Sequence, residues 1–209
     1  MEDGGLSGCL YISGVPGTGK TATVTGIIRA LEAASERGDI PRFQYISING
    51  MKLSSPQQFY SILWEAIAGD KASPQHAAEK LEAFFSTPSP RRHCCVVLVD
   101  ELDQLVTAKQ RVIYNLFDWP RRPHARLLII GIANTMDLPE RMLPRIHSRL
   151  GLFRLAFAPY THQQIQAWLP WCSLCESAPR SVPFPPPLPS PGLLMWLLPF
   201  CGGFCDGQP

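Results

Sequence analysis

Gly14-Val15-Pro16-Gly17-Thr18-Gly19-Lys20-Thr21 stands between a short apolar run, Cys9 to Ser13, and a helical pattern that runs from about Lys20 to Ser35. The order is strand, glycine-rich loop, helix. The stretch fits G-x-x-x-x-G-K-[ST], and each part of that spacing has a physical reason. Glycines let the backbone turn tightly enough for its N–H groups to face a phosphate, and the helix start behind them adds partial positive charge. Lys20 is placed to reach the β and γ phosphates of a bound nucleotide, and Thr21 to set its hydroxyl on Mg²⁺. The competing reading is a glycine-rich turn with an incidental lysine.

The elements that follow decide what surrounds that loop. Phe43 to Ile48 reads as a second strand, bounded by Pro41 and the Asn49-Gly50 turn signal. A helix is expected next, with Ser55-Pro56 at its start and Phe59, Ile62, Leu63, Ala66 and Ile67 on one face. His76 to Phe85 suggests another helix, and Cys94 to Val99 is an unbroken apolar run of the kind buried on both faces of a parallel sheet. Lys109 to Trp119 is helical in pattern and broken by Pro120 to Pro123. Leu127 to Ala133 is a further apolar strand, Pro139 to Ile146 a short helix, and Leu152 to Phe157 a last strand. Strands alternating with helices argue for an α/β fold with a doubly wound, mainly parallel five-stranded sheet. This core is expected over residues 1–168. After Trp168 the pattern ends, and residues 169–209, with Pro183, Pro185, Pro186, Pro187, Pro189 and Pro191, read as a Pro-rich, disordered tail.

Two further signals join the loop. Val96 to Val99 ends in Asp100-Glu101, a carboxylate pair at the carboxyl end of a buried strand, where Asp100 can hold Mg²⁺ and Glu101 can polarise an attacking water. Strand-stop charges are the alternative. Leu127 to Ala133 delivers Asn134 at its own carboxyl end, within reach of a γ-phosphate or the lytic water; a simple turn residue is the alternative there. Arg145 and Arg149 read equally as surface arginines or as a finger acting in a neighbouring subunit's site. Asp103 reads as a helix-start acid rather than a ligand. Cys172, Cys175, Cys201 and Cys205 match a four-thiolate zinc set in count but not in context.

The whole-chain properties narrow the class less. A net charge of +2 in 209 residues, with 17% charged residues, neither demands nor excludes DNA. An odd count of 7 cysteines, with Cys9, Cys94 and Cys95 in apolar runs, favours a reducing compartment. No secretory signal pattern opens the chain, and the apolar run Leu193 to Leu198 is far short of the roughly 20 residues that span a bilayer, so no membrane association is expected.

The combination of Gly14 to Thr21, Asp100-Glu101-Leu102-Asp103, Tyr114 to Pro120, and Ala133 to Arg141 resembles the largest-subunit family of the eukaryotic origin recognition complex, a group of AAA+ replication initiators. The similarity covers about residues 5–168, and Ser148-Arg149-Leu150-Gly151 matches that family's stretch near the subunit interface. The resemblance implies a nuclear ATPase that binds ATP and Mg²⁺ between subunits, joins a ring around origin DNA with the other subunits and a related AAA+ initiator, and helps to recruit the helicase loader. By position it implies nucleotide contacts from Gly14, Val15, Pro16, Gly17, Thr18, Gly19, Lys20 and Thr21, metal contacts from Thr21 and Asp100, and catalytic roles for Glu101, Asn134 and Arg149. It also implies a DNA-touching helix where Met51 to Ala68 stands, with Lys52 as the contact. The family's helical lid and winged-helix domain have no counterpart in the sequence after Trp168. Weak hydrolysis in isolation is the expected consequence, and a non-catalytic fragment that binds partner subunits is the alternative reading.

Overall fold

The strand that leads into the glycine-rich loop, β1 (Gly8–Gly14), pairs with nothing near it in sequence. It hydrogen-bonds in parallel to β4 (Leu127–Ala133) on one side and β5 (Phe153–Phe157) on the other. In the computed structural model, which describes residues 7–89, 92–135 and 153–162, β2 (Phe43–Asn49) and β3 (Cys94–Asp100) complete a five-stranded sheet in the order β2-β3-β4-β1-β5. Every pairing in it is parallel, so the doubly wound α/β sheet expected from the sequence is present and wholly parallel.

Parallel neighbours need crossover connections, and these are supplied by α1 (Lys20–Arg37), α2 (Gln58–Ala68), α3 (Pro74–Ser86) and α4 (Arg111–Asp118). Successive side chains of each central strand go to opposite faces. Leu10, Ile12, Val96, Leu98, Leu128, Ile130 and Ile132 meet Val24 and Ile28 of α1 on one face. Tyr11, Cys95, Val97, Val99, Leu127 and Ile129 meet α2, α3 and α4 on the other, through Phe59, Leu81, Phe85, Ile113 and Phe117. Each fully buried side chain of this kind stabilises the fold by about 1.5–3 kcal/mol relative to exposure. The covering of both faces explains why β3 and β4 are unbroken apolar runs.

Trp119, fully buried, closes the second face. Its Nε1 donates to Glu82 Oε2 at 3.0 Å, and Glu82 also pairs with Arg122, so α3 and the chain after α4 are joined by polar as well as apolar contacts. Nearby, Asn115 Nδ2 donates to the Tyr60 hydroxyl at 3.0 Å, linking α4 to α2.

Several boundaries differ from the sequence reading. Ser55 and Pro56 form a turn whose carbonyls accept from the amides of Gln58 and Phe59, and α2 begins only after it. Ile62 is exposed, because α2 turns Phe59, Tyr60 and Leu63 inward. Cys94 is half-buried, whereas Cys9 and Cys95 are core residues. The helix expected over 139–146, Arg145, Arg149, the four C-terminal cysteines and the Pro-rich stretch lie outside the described residues. Among the described residues no helix is long and apolar enough to cross a membrane.

Candidate functional site

The strand order brings three carboxyl ends side by side. β3 delivers Asp100, β4 delivers Asn134 and β1 delivers the glycine-rich loop, so residues more than a hundred positions apart meet across two strand spacings. In an open parallel sheet the crevice beyond those ends is where ligands bind. An open cleft of about 250 Å³ lies there, lined by Pro16, Gly17, Gly19, Lys20, Thr21, Ala22, Asp100, Glu101 and Asn134.

Two glycines shape the loop for distinct reasons. A Cβ on Gly14 would sit 2.6 Å from the carbonyl oxygen of Phe157, so only glycine lets β1 pass this close to β5. Gly19, at φ 78° and ψ 12°, turns the chain through the left-handed region straight into the first residue of α1. The Thr18 hydroxyl closes the loop by donating to Val15 O at 2.8 Å.

Lys20 lies on the floor of the cleft, only 5% exposed. Its Nζ donates to Gly14 O at 2.8 Å, Val15 O at 3.0 Å and Asn134 Oδ1 at 3.0 Å. All three acceptors are neutral, and among the described residues no carboxylate pairs with it. A buried cation without a counter-ion is costly, and an anion in the adjoining cleft would relieve that cost.

The acidic side of the cleft is equally ordered. The Thr21 hydroxyl donates to Asp100 Oδ2 at 3.2 Å, while Asp100 Oδ1 accepts from the amide of Glu101 at 3.0 Å. Glu101 adopts φ 54° and ψ 50°, a left-handed conformation uncommon for a residue with a side chain. That turn presents its carboxylate to Asn134, whose Nδ2 donates to Glu101 Oε2 at 2.6 Å. Asn134 therefore bridges the cation and the carboxylate of the site.

Each sequence-predicted residue of the loop and of both strand ends lines this one cleft or closes its loop. Lys52 is elsewhere, exposed in a short 3₁₀ turn over Gly50–Lys52 beside the 69% exposed Met51. Arg149 lies outside the described residues. One residue escaped the sequence reading, and another does more than that reading gave it. The Tyr160 hydroxyl donates to Thr18 O at 3.2 Å, reaching back onto the loop from beyond β5, and no local pattern announces it. Asp103 starts a 3₁₀ turn over Leu102–Leu105, as a helix-start acid should, but its carboxylate also accepts from Asn134 N at 2.8 Å and from the Thr135 hydroxyl at 2.6 Å.

Comparison with known proteins places this architecture. The model of the AAA family, the ATPase family associated with various cellular activities, matches residues 10–154. Origin recognition complex subunit 1 of Schizosaccharomyces pombe is 56% identical over 159 residues, covering 76% of this chain and 22% of that protein. The human subunit 1 is 56% identical over 160 residues, covering 76% and 19%. The chain thus spans about a fifth of the length of these curated relatives. In a solved structure of the Drosophila origin recognition complex bound to DNA, one chain matches with a TM-score of 0.69 and 49% identity, over 77% of this chain and 38% of that one. The Aeropyrum pernix ORC1 protein in complex with DNA shares the fold, with a TM-score of 0.64, 24% identity and coverage of 79% and 43%. The family implies nucleotide binding. The chain belongs to the AAA family of ATPases, and over the residues they share it is a homologue of origin recognition complex subunit 1.

Proposed function

We propose that the cleft binds ATP with Mg²⁺ and hydrolyses it as the nucleotide-handling module of an origin recognition assembly, in replication initiation. The observation that carries this reading is Lys20, a buried ammonium held by neutral oxygens alone on the floor of a glycine-walled cleft. The phosphates of ATP supply the missing negative charge, and the loop amides with the start of α1 extend the anion site. Thr21 and Asp100 fit Mg²⁺, since both offer hard oxygen donors and stand together at the cleft wall. Bound Mg²⁺ supplies charge neutralisation at the β and γ phosphates.

The remaining chemistry belongs to this chain's side chains. Glu101 takes the proton of the attacking water, and Asn134 orients that water while tying it to the Lys20 end of the site. Arg149 acts in the site of a neighbouring subunit. Lys52, exposed beside Met51, is the proposed contact to origin DNA. The partners are other origin recognition subunits and a related AAA+ initiator, in keeping with a relative solved in an origin recognition complex bound to DNA. A nuclear location follows from this reading, and residues 1–168 form the working core with 169–209 as an appended tail.

The test is titration of the purified chain with a fluorescent ATP analogue in Mg²⁺ beside Lys20→Ala. Saturable binding weakened at least tenfold by the substitution is expected, since a hydrogen bond to a charged group contributes about 1.5–3 kcal/mol. No binding by either protein sinks the ATP reading and leaves a non-catalytic fragment that binds partners through its surfaces.

A further inference from the structure

Asn134 can work only if the end of β4 is held at a fixed distance from the end of β3, and the backbone ladder does not do this. The paired register of the two strands stops at Val99 and Gly131, so Asp100, Glu101 and Asn134 all lie beyond the last paired residues. A separate tie is present. Asp103 accepts the amide of Asn134 at 2.8 Å on Oδ2 and the hydroxyl of Thr135 at 2.6 Å on Oδ1, so both of its oxygens are committed to the chain leaving β4. The Tyr11 hydroxyl donates to Thr135 O at 2.9 Å from β1, so Thr135 is also fixed from the strand that carries the glycine-rich loop.

The anchor is itself immobilised. Leu102 and Leu105, on either side of Asp103, are fully buried. Leu102 packs under β4 where a Cβ on Gly131 would come within 3.1 Å of its Cδ2. Asp103 therefore has no slack toward the cleft, and its carboxylate faces the chain beyond β4 rather than the metal-holding pair Thr21 and Asp100.

We propose that Asp103 is a positioning residue: it sets the depth of Asn134 in the cleft, and through it the alignment of Glu101 with the attacking water. This rests on the roles given to Asn134 and Glu101 above. Charge-assisted bonds from a carboxylate are about twice as strong as neutral ones, and a misplacement of about 1 Å in such a constellation costs on the order of a hundredfold in rate. The bonds of Asp103 go to Asn134 and Thr135 and not to the glycine-rich loop, so the main phosphate contacts are set elsewhere.

The experiment compares wild type with Asp103→Asn, in which shape is kept and one acceptor becomes a donor. Turnover at saturating ATP is expected to fall about 10- to 100-fold with the ATP-analogue Kd changed less than threefold. Hydrogen exchange at the Asn134 amide is read in parallel, and at least a tenfold acceleration is expected in Asp103→Asn. Equal turnover in the two proteins, or a loss of turnover matched by an equal loss of affinity, overturns the proposal. If wild type binds but does not turn over ATP, the hydrolysis reading fails by itself. The exchange measurement then decides, because an Asn134 amide protected equally in both proteins removes Asp103 from the role.

Discussion

The hydroxyl of Thr21 and the Oδ2 of Asp100 stand 3.2 Å apart although 79 residues separate them, because β4 brings the ends of β1 and β3 to either side of it. If this pair holds Mg²⁺, Asp100→Asn removes the charged donor and leaves the phosphate loop intact. Binding of the ATP analogue without metal should be unchanged, while the Mg²⁺ concentration needed for half-maximal turnover rises about tenfold, corresponding to roughly 1.4 kcal/mol. A metal titration of turnover in the two proteins measures it.

Gly14→Ala should be destabilising out of proportion to its size. The new methyl meets the backbone carbonyl of Phe157 at 2.6 Å and its Cβ at 2.9 Å, and neither is the free end of a flexible side chain. Overpacking of this kind costs about 1–3 kcal/mol. The expected result in urea denaturation is a lower midpoint, with weaker nucleotide binding because the loop moves with β1.

Trp119→Phe tests a core position outside the cleft lining. It removes the Nε1 bond to Glu82 and leaves a void beside Phe85 of α3 and Tyr60 of α2 in a fully buried position. A loss of about 2–4 kcal/mol is expected from the combined cavity and hydrogen-bond costs. Nucleotide affinity of the folded protein should be unaffected, which separates a core defect from a site defect.

Alkaline conditions should weaken the fold in a defined window. Burial pushes the Cys95 thiol from 9.0 up to about 12, with Cys94 adding to it. Burial likewise pushes the Tyr60 hydroxyl from 10.0 up to about 12, against the opposing hydrogen bond from Asn115. Both groups are raised in the folded state, so their contribution is fully present below the unfolded values near 9 and 10. It is lost progressively as pH rises toward 12. Cys95 alone should account for about 1 kcal/mol between pH 9 and 10. Urea midpoints at pH 8, 9 and 10 measure this, and Cys95→Ala should flatten the decline.

What could be read from the sequence follows from where the constraint is local. Gly14 to Thr21 was legible because strand, turn and helix start are contiguous. The apolar runs at Cys94 and Leu127 were legible because a strand covered on both faces has no polar alternate positions. Ile62 was misplaced because its spacing fits the apolar stripe, while the packing of α2 against Trp119 and Asn115 selects Tyr60 instead. The two hydrogen bonds that Asp103 accepts and the reach of Tyr160 were invisible for another reason. Each depends on which strand ends are neighbours, and the order β2-β3-β4-β1-β5 is a property of the assembled sheet.

That order also sets a timetable for assembly. β1 leaves the ribosome ahead of both strands it pairs with and waits for Leu127–Ala133 before it has a partner, with Gly8 registered opposite Leu128. β2 finds β3 sooner, since Phe43 pairs with Cys94. Contacts of such long sequence separation are slow to form, because the intervening chain must be closed before they repay its lost freedom. The glycine-rich loop is therefore encoded before β4 and β5 but takes its shape only after they have joined β1. During synthesis the apolar segment Cys9 to Ile12 stays uncovered until Leu127–Ala133 has emerged, which makes it a stretch in need of shielding before the sheet closes.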